Sequence, residues 1–209
     1  MSHSPYSIFI SKKTMLKQLL ATATTLGLLA ATPAMAMVEG FDSQHQLLLD
    51  TLRAKGVYVA LNVPQVCDRV KTDKSTHGVY FYNSNRDTAM MAVCQDFGGQ
   101  GEEVLWTAND LDTLRHESVH YLQDCMDGSV DGDMVPLFDG PGGTSPLDSD
   151  LQDVVAAIGY EQAMSIVATY TKAGVSEQVI QLELEAFFSA AQIDAETIAQ
   201  SIDATCPAK

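Results

Sequence analysis

The chain has 209 residues, with 27 Asp and Glu against 12 Lys and Arg, and a formal net charge of −15. An acidic surface of this kind repels nucleic acid and anionic lipid, because both are bound by positive side chains that release or replace counterions. Neither is an expected partner.

Residues 1–36 read as a secretory signal peptide. Lys12, Lys13 and Lys17 form a basic region, an apolar run follows from Leu19 to Ala31, and Ala34-Met35-Ala36 makes a small-x-small cleavage site. The apolar run falls short of the roughly 20 residues of a membrane span, although an uncleaved anchor is the alternative. Cleavage after Ala36 leaves 37–209, 173 residues, as a single domain that is secreted or periplasmic. Three basic residues and no acidic ones leave with the signal, so the remaining charge is −18.

The exported chain keeps Cys67, Cys94, Cys125 and Cys206. An even count in an exported protein predicts two disulfides. Of the three pairings that can be drawn, Cys67–Cys94 with Cys125–Cys206 is favoured, since it ties the front half together and pins the C-terminus to the central helix. A cysteine metal site is disfavoured, because there is no Cys-x-x-Cys pair.

Residues 43–55 predict a helix capped by Ser43, with Leu47, Leu48 and Leu52 on one face. Gly56 stops it, and 57–61 follows as a short strand. Residues 78–82 and 88–93 are β-rich runs around the polar linker 83–87, which predicts a hairpin. Asn109 or Asp110 then caps a helix running to about Cys125, with Leu111, Leu114, Ser118, Val119 and Leu122 turned inward. Trp106 plugs the core ahead of it. Residues 126–150 form a long loop, and helices follow at about 150–172, 176–191 and 194–204. β-rich first and α-rich afterwards argues an α+β fold.

His116-Glu117-Ser118-Val119-His120 lies inside the central helix. A spacing of four residues puts both imidazoles on one face, a turn apart, where they can grip one cation. Glu117 projects beside them and can take a proton from a metal-bound water, which Zn2+ brings to a pKa of about 7.

This helix resembles the active-site helix of the zincin metallopeptidases, in which a β-hairpin or edge strand precedes the helix and lines the substrate cleft. The resemblance implies a zincin-like fold: a small N-terminal antiparallel sheet or hairpin, a central HExxH helix and a mainly helical C-terminal half. It implies a peptide or protein substrate, Zn2+ as cofactor and Glu117 as general base. Gln123 and Met126 stand where the metzincin pattern needs Gly and His, so that branch is excluded. No partner motif supplies the cysteine ligand of the peptide deformylases. The gluzincin branch takes its third ligand from a Glu on a later helix, and the segment 181–188 is similar. Glu185, followed by Ala186 as in that branch, is the expected ligand beside His116 and His120, with Glu183 in reserve. Asp148, in a segment that faintly resembles the aspzincins, is the further candidate.

Asp124 and Asp112, each four residues from a motif histidine, are candidates to orient an imidazole. Tyr160 and Tyr170 are candidates to polarise the reaction intermediate, with core packing as the plainer role. Asp127, Asp131 and Asp133 read as solvated acids rather than a calcium loop, and His45 and His77 as ordinary surface residues. Two readings compete with the peptidase: an exported zinc-binding protein without turnover, and an interaction domain held by its disulfides without any metal.

Overall fold

A computed structural model describes residues 41–67, 77–98, 104–137, 155–156 and 158–208. The signal-peptide reading of 1–36 and the candidate Asp148 lie outside the described residues.

Helix α1, Ser43–Ala54, is capped one residue earlier than expected, by Asp42, whose carboxylate accepts the N–H groups of Gln44 and His45 at 3.0 Å each. At its other end Gly56 takes φ 81°. The Gly56 N–H then bonds Arg53 O and the Val57 N–H bonds Leu52 O, both at 3.0 Å. This reciprocal pair satisfies carbonyls that a helix end leaves open. It turns the chain directly into strand β1, Tyr58–Leu61.

The hairpin forms as its polar linker predicts: β2, Gly78–Asn83, pairs antiparallel with β3, Thr88–Val93. The sheet as a whole is not antiparallel, however. Its order is β1-β3-β2, and β1 runs parallel to β3 with Tyr58 opposite Met90 and Leu61 opposite Val93. A short turn determines the partner of β2 locally, whereas β1 is free to choose its edge through the longer 62–77 connection. The Cys67–Cys94 disulfide ties that connection to the residue just after β3.

Helix α2, Ala108–Cys125, starts at Thr107 rather than at Asn109 or Asp110. Thr107 Oγ1 accepts the Asp110 N–H at 3.1 Å, and the Asp110 carboxylate accepts the Thr107 N–H at 2.8 Å. Asp110 is thus the reciprocal partner of the cap, a role for an acid three residues into the helix. Leu111, Leu114, Ser118, Val119 and Leu122 are all buried, as their spacing predicts, and Trp106 is buried against Phe41.

Of the helix expected over about 150–172, residues 155, 156 and 158 are helical, Gly159 at φ 83° then interrupts the right-handed path, and helix α3 is Tyr160–Lys172. Helices α4, Glu177–Gln192, and α5, Ala195–Thr205, follow behind caps Ser176 and Asp194. The second disulfide, Cys125–Cys206, joins the end of α2 to the residue after α5. Both expected pairings are therefore present, which suits an oxidising environment. No described helix is long and apolar enough to cross a membrane.

The fold is α+β, with two apolar clusters among the described residues. The larger gathers α1, the inner face of the sheet, α2 and α5; the smaller joins Ile158 to α3 and α4. Helix α4 serves both, giving Ala186 to the first and Ile180 and Leu184 to the second. It packs along α2, and that contact assembles the site.

Candidate metal centre

His116 and His120 lie one turn apart on α2 and turn their Nε2 atoms towards each other, 3.1 Å apart. Glu183 arrives from α4, with its two oxygens 3.4 Å from His116 Nε2 and 3.6 Å from His120 Nε2. Among the described residues these three form the group able to hold a metal ion. Four ligands at about 2.0–2.1 Å around a tetrahedral zinc stand roughly 3.3 Å from one another. The two imidazole nitrogens stand near that edge and each faces a different oxygen of Glu183, so two imidazoles and a carboxylate offer a donor set of the kind such an ion takes.

The expected third ligand was Glu185, and here the structure differs. Residues two apart on a helix point about 200° away from each other. Glu183 shares its face with Phe187 and turns to the histidines. Glu185 faces the other way, is fully buried, and accepts hydrogen bonds from the Leu137 N–H at 2.7 Å and from Gln123 and Gln181 at 3.2 Å.

Burial pushes the His120 imidazole towards its neutral form, but the hydrogen bond and charge of Glu183, with help from Glu117 and Gln123, outweigh it. The result is a pKa raised to about 9. Burial pushes the Glu183 carboxyl up, and the two histidines overcome this and hold it well below the usual carboxylate range. Tyr170, on α3, donates to Glu183 Oε2 at 2.7 Å. Of the two candidate tyrosines it is therefore the one at the site, while Tyr160 is half exposed.

The His116 ring is fixed by packing. Phe187 lies against it at a centroid distance of 4.5 Å and His120 meets it edge-on at 4.7 Å. Its Nδ1 is buried without a hydrogen-bond partner among the described residues.

Glu117 is buried beside the pair. Burial raises its carboxyl pKa, against the opposing pull of His116 and His120 and of the Tyr80 backbone N–H that donates to it. Strand β2 comes so close that a Cβ placed on Gly78 would stand 2.7 Å from Glu117 Oε1 and from Thr113 Cγ2. Only a residue without a side chain permits this approach. The cleft so formed measures about 340 Å³. Gly78, Val79 and Tyr80 form one wall, the histidines and Glu117 the floor, and Met134, Tyr170 and Phe187 the far side.

Neither neighbouring acid orients an imidazole. Asp124 is fully buried and accepts the Tyr80 hydroxyl together with the N–H groups of Asp131 and Gly132. Asp112 accepts from Arg115 Nη2 at 3.0 Å. His45 is buried rather than a surface residue: its Nε2 faces Arg115 Nη1 at 2.7 Å and its Nδ1 faces Asp42 at 2.7 Å. An arginine only donates, so His45 Nε2 accepts and its Nδ1–H donates to Asp42. Burial lowers the pKa of this imidazole. Arg115 also donates to Ala190 O at 2.8 Å, holding the end of α4 to α2. Asp127 and Asp131 bond to Ser129 within the exposed loop.

Comparison of the chain with protein-family models, with curated proteins and with solved structures gives no match. Gln123 and Gly78 have no site role in the sequence. Gln123 was visible as a polar residue one turn past His120, and Gly78 as a glycine opening a β-rich run. Neither carries a pattern that tells a site residue from a structural one.

Proposed function

We propose that this protein is an exported, zinc-dependent metallopeptidase of zincin-like, gluzincin-type character, and that His116, His120 and Glu183 hold the metal. The observation that carries the reading is the convergence of three metal-ligating side chains from two helices, His116, His120 and Glu183, beside the buried carboxylate of Glu117 in an open cleft. A bound zinc ion supplies Lewis acidity and makes hydroxide available near neutral pH.

The remaining work falls to the chain. Glu117 lies next to the metal-ligating pair, and its raised pKa suits a group that must take a proton and give it back. It accepts the proton of the attacking water and returns it to the leaving amine. The Tyr80 N–H holds the carboxylate in place, and Tyr170 steadies Glu183. Strand β2 forms one wall of the cleft, where a peptide substrate can lie.

The test pairs metal analysis of the purified protein with a peptide-library cleavage assay on wild type and Glu117→Gln. One zinc per chain and cleavage by wild type are expected. Glu117→Gln should keep the zinc and lose about 10²–10⁴-fold in kcat. Full activity in the variant removes Glu117 from the mechanism. Zinc without cleavage by wild type favours the zinc-binding protein that lacks turnover.

A further inference from the structure

Gln123 and Glu185 are both fully buried beside the metal group, and neither reaches it as a ligand. Gln123 Nε2 donates to Leu182 O at 3.1 Å and to Glu185 Oε2 at 3.2 Å. A carbonyl and a carboxylate only accept, so the amide nitrogen must face them and Oε1 must face the other way. His120 Nδ1 lies 2.7 Å from that oxygen. Nδ1 therefore carries a proton, and Nε2 is the nitrogen presented to Glu183 and His116.

A carboxylate fully removed from water is costly unless its oxygens are bonded. Glu185 recovers the Leu137 N–H at 2.7 Å on the same oxygen that takes Gln123, and Gln181 on the other. The Val135 N–H also donates to the main-chain carbonyl of Gln123 at 3.0 Å. Two bonds thus strap down the chain segment that lays Met134 along the cleft. His116, with no acceptor at its Nδ1 among the described residues, has no equivalent support.

From this juxtaposition we infer that Gln123 and Glu185 are positioning residues, a relay from His120 through Gln123 to Glu185 that fixes one metal ligand and clamps the Met134 wall to it. The inference rests on the metal-centre reading above. It assigns Glu185 a role two bonds removed from the ion.

Two measurements on the full disulfide-bonded protein separate the relay from that reading. The first is nitrogen-15 NMR of the histidine rings in metal-free protein. A hydrogen-bonded, slowly exchanging Nδ1–H on His120 is expected in wild type and should be lost in Gln123→Leu. Its absence from wild type overturns the relay whatever the metal affinity. The second is zinc affinity by competition with a chromophoric chelator. Gln123→Leu and Glu185→Leu should bind about 10–100-fold more weakly than wild type. Glu185→Gln keeps an oxygen for both Gln123 and Leu137 and should recover most of that loss. Equal affinity in Gln123→Leu and wild type overturns the relay. If wild type binds no zinc but shows the Nδ1–H, the relay stands as a ring-orienting device and the metal-centre reading fails. Should Glu185→Leu not fold, the contrast between Gln123→Leu and Glu185→Gln still decides.

Discussion

His120 and Glu183 bind each other more strongly as ions than either would in water, and this gives the metal-free site a defined pH dependence. The folded-state pKa of His120, about 9, lies above the ordinary 6.5. Its contribution to stability is complete below pH 6.5 and is lost as pH rises through about 9. Glu183 is shifted down from 4.5, so its contribution is present above pH 4.5 and is lost as acid approaches its lowered value. Thermal unfolding of chelated protein across pH should therefore show the pair's contribution at its fullest between about pH 4.5 and 6.5, with an alkaline decline that His120→Gln flattens. Zinc must displace the His120 proton, so its affinity should rise about tenfold per pH unit from neutral towards about 9. A flat affinity over that range would mean that His120 is not a ligand. Among individual residues, the two histidines and Glu117 were legible because helical spacing alone puts them together. The choice between Glu183 and Glu185 was not: both are acids in one apolar helix, and only the direction from which α4 meets α2 separates them.

At the level of elements, the site depends on how closely β2 approaches α2. Strand and helix meet where Gly78 faces Glu117 and Thr113, while the Tyr80 hydroxyl bonds Asp124 on the same helix. Gly78→Ala should push the strand off the helix or turn Glu117 aside. Because the nearest atoms to Gly78 belong to Glu117 and Thr113 and to none of the three donors, zinc affinity should stay near wild type while kcat/KM for a cleaved peptide falls about 10–100-fold. Unchanged turnover in this variant would show that the close approach does not position the base. The elements themselves were well marked in the sequence: the hairpin by its polar linker and α2 by its apolar stripe. Cap positions shifted where two polar residues competed. Thr107 displaced Asn109 and Asp110 because it can exchange two hydrogen bonds with Asp110. The parallel pairing of β1 with β3 left no local mark, since the partner of an edge depends on the path of a long connection.

Across the whole molecule, the metal group lies between two apolar clusters. His116 and His120 belong to the helix at the centre of the larger one, and Glu183 to the helix that also serves the smaller. An ion held by the proposed site would staple the two clusters together, as Arg115 joins α2 to the end of α4. Ligand present at 1,000 times its dissociation constant stabilises the folded state by about 4 kcal/mol. For a domain of this size, removal of zinc should lower the melting temperature by roughly 10 °C. Glu183→Ala should abolish most of that difference. A melting temperature indifferent to chelation would remove the stapling role.

By itself, the sequence determined which residues could share a helix face: the motif histidines, their neighbouring acid and the apolar stripe beneath them. These are contacts within a turn or two of chain, and backbone geometry dictates them before anything packs. It also favoured the disulfide pairing that the fold contains, on the argument that the C-terminus is pinned to the central helix. Only the tertiary structure decided which acid of α4 faces the two histidines, the partner of β1, the burial of His45 and the link from Gln123 to Glu185. Each of these joins residues far apart in the chain, and which of two nearly equivalent side chains makes the contact depends on the angle at which whole elements meet.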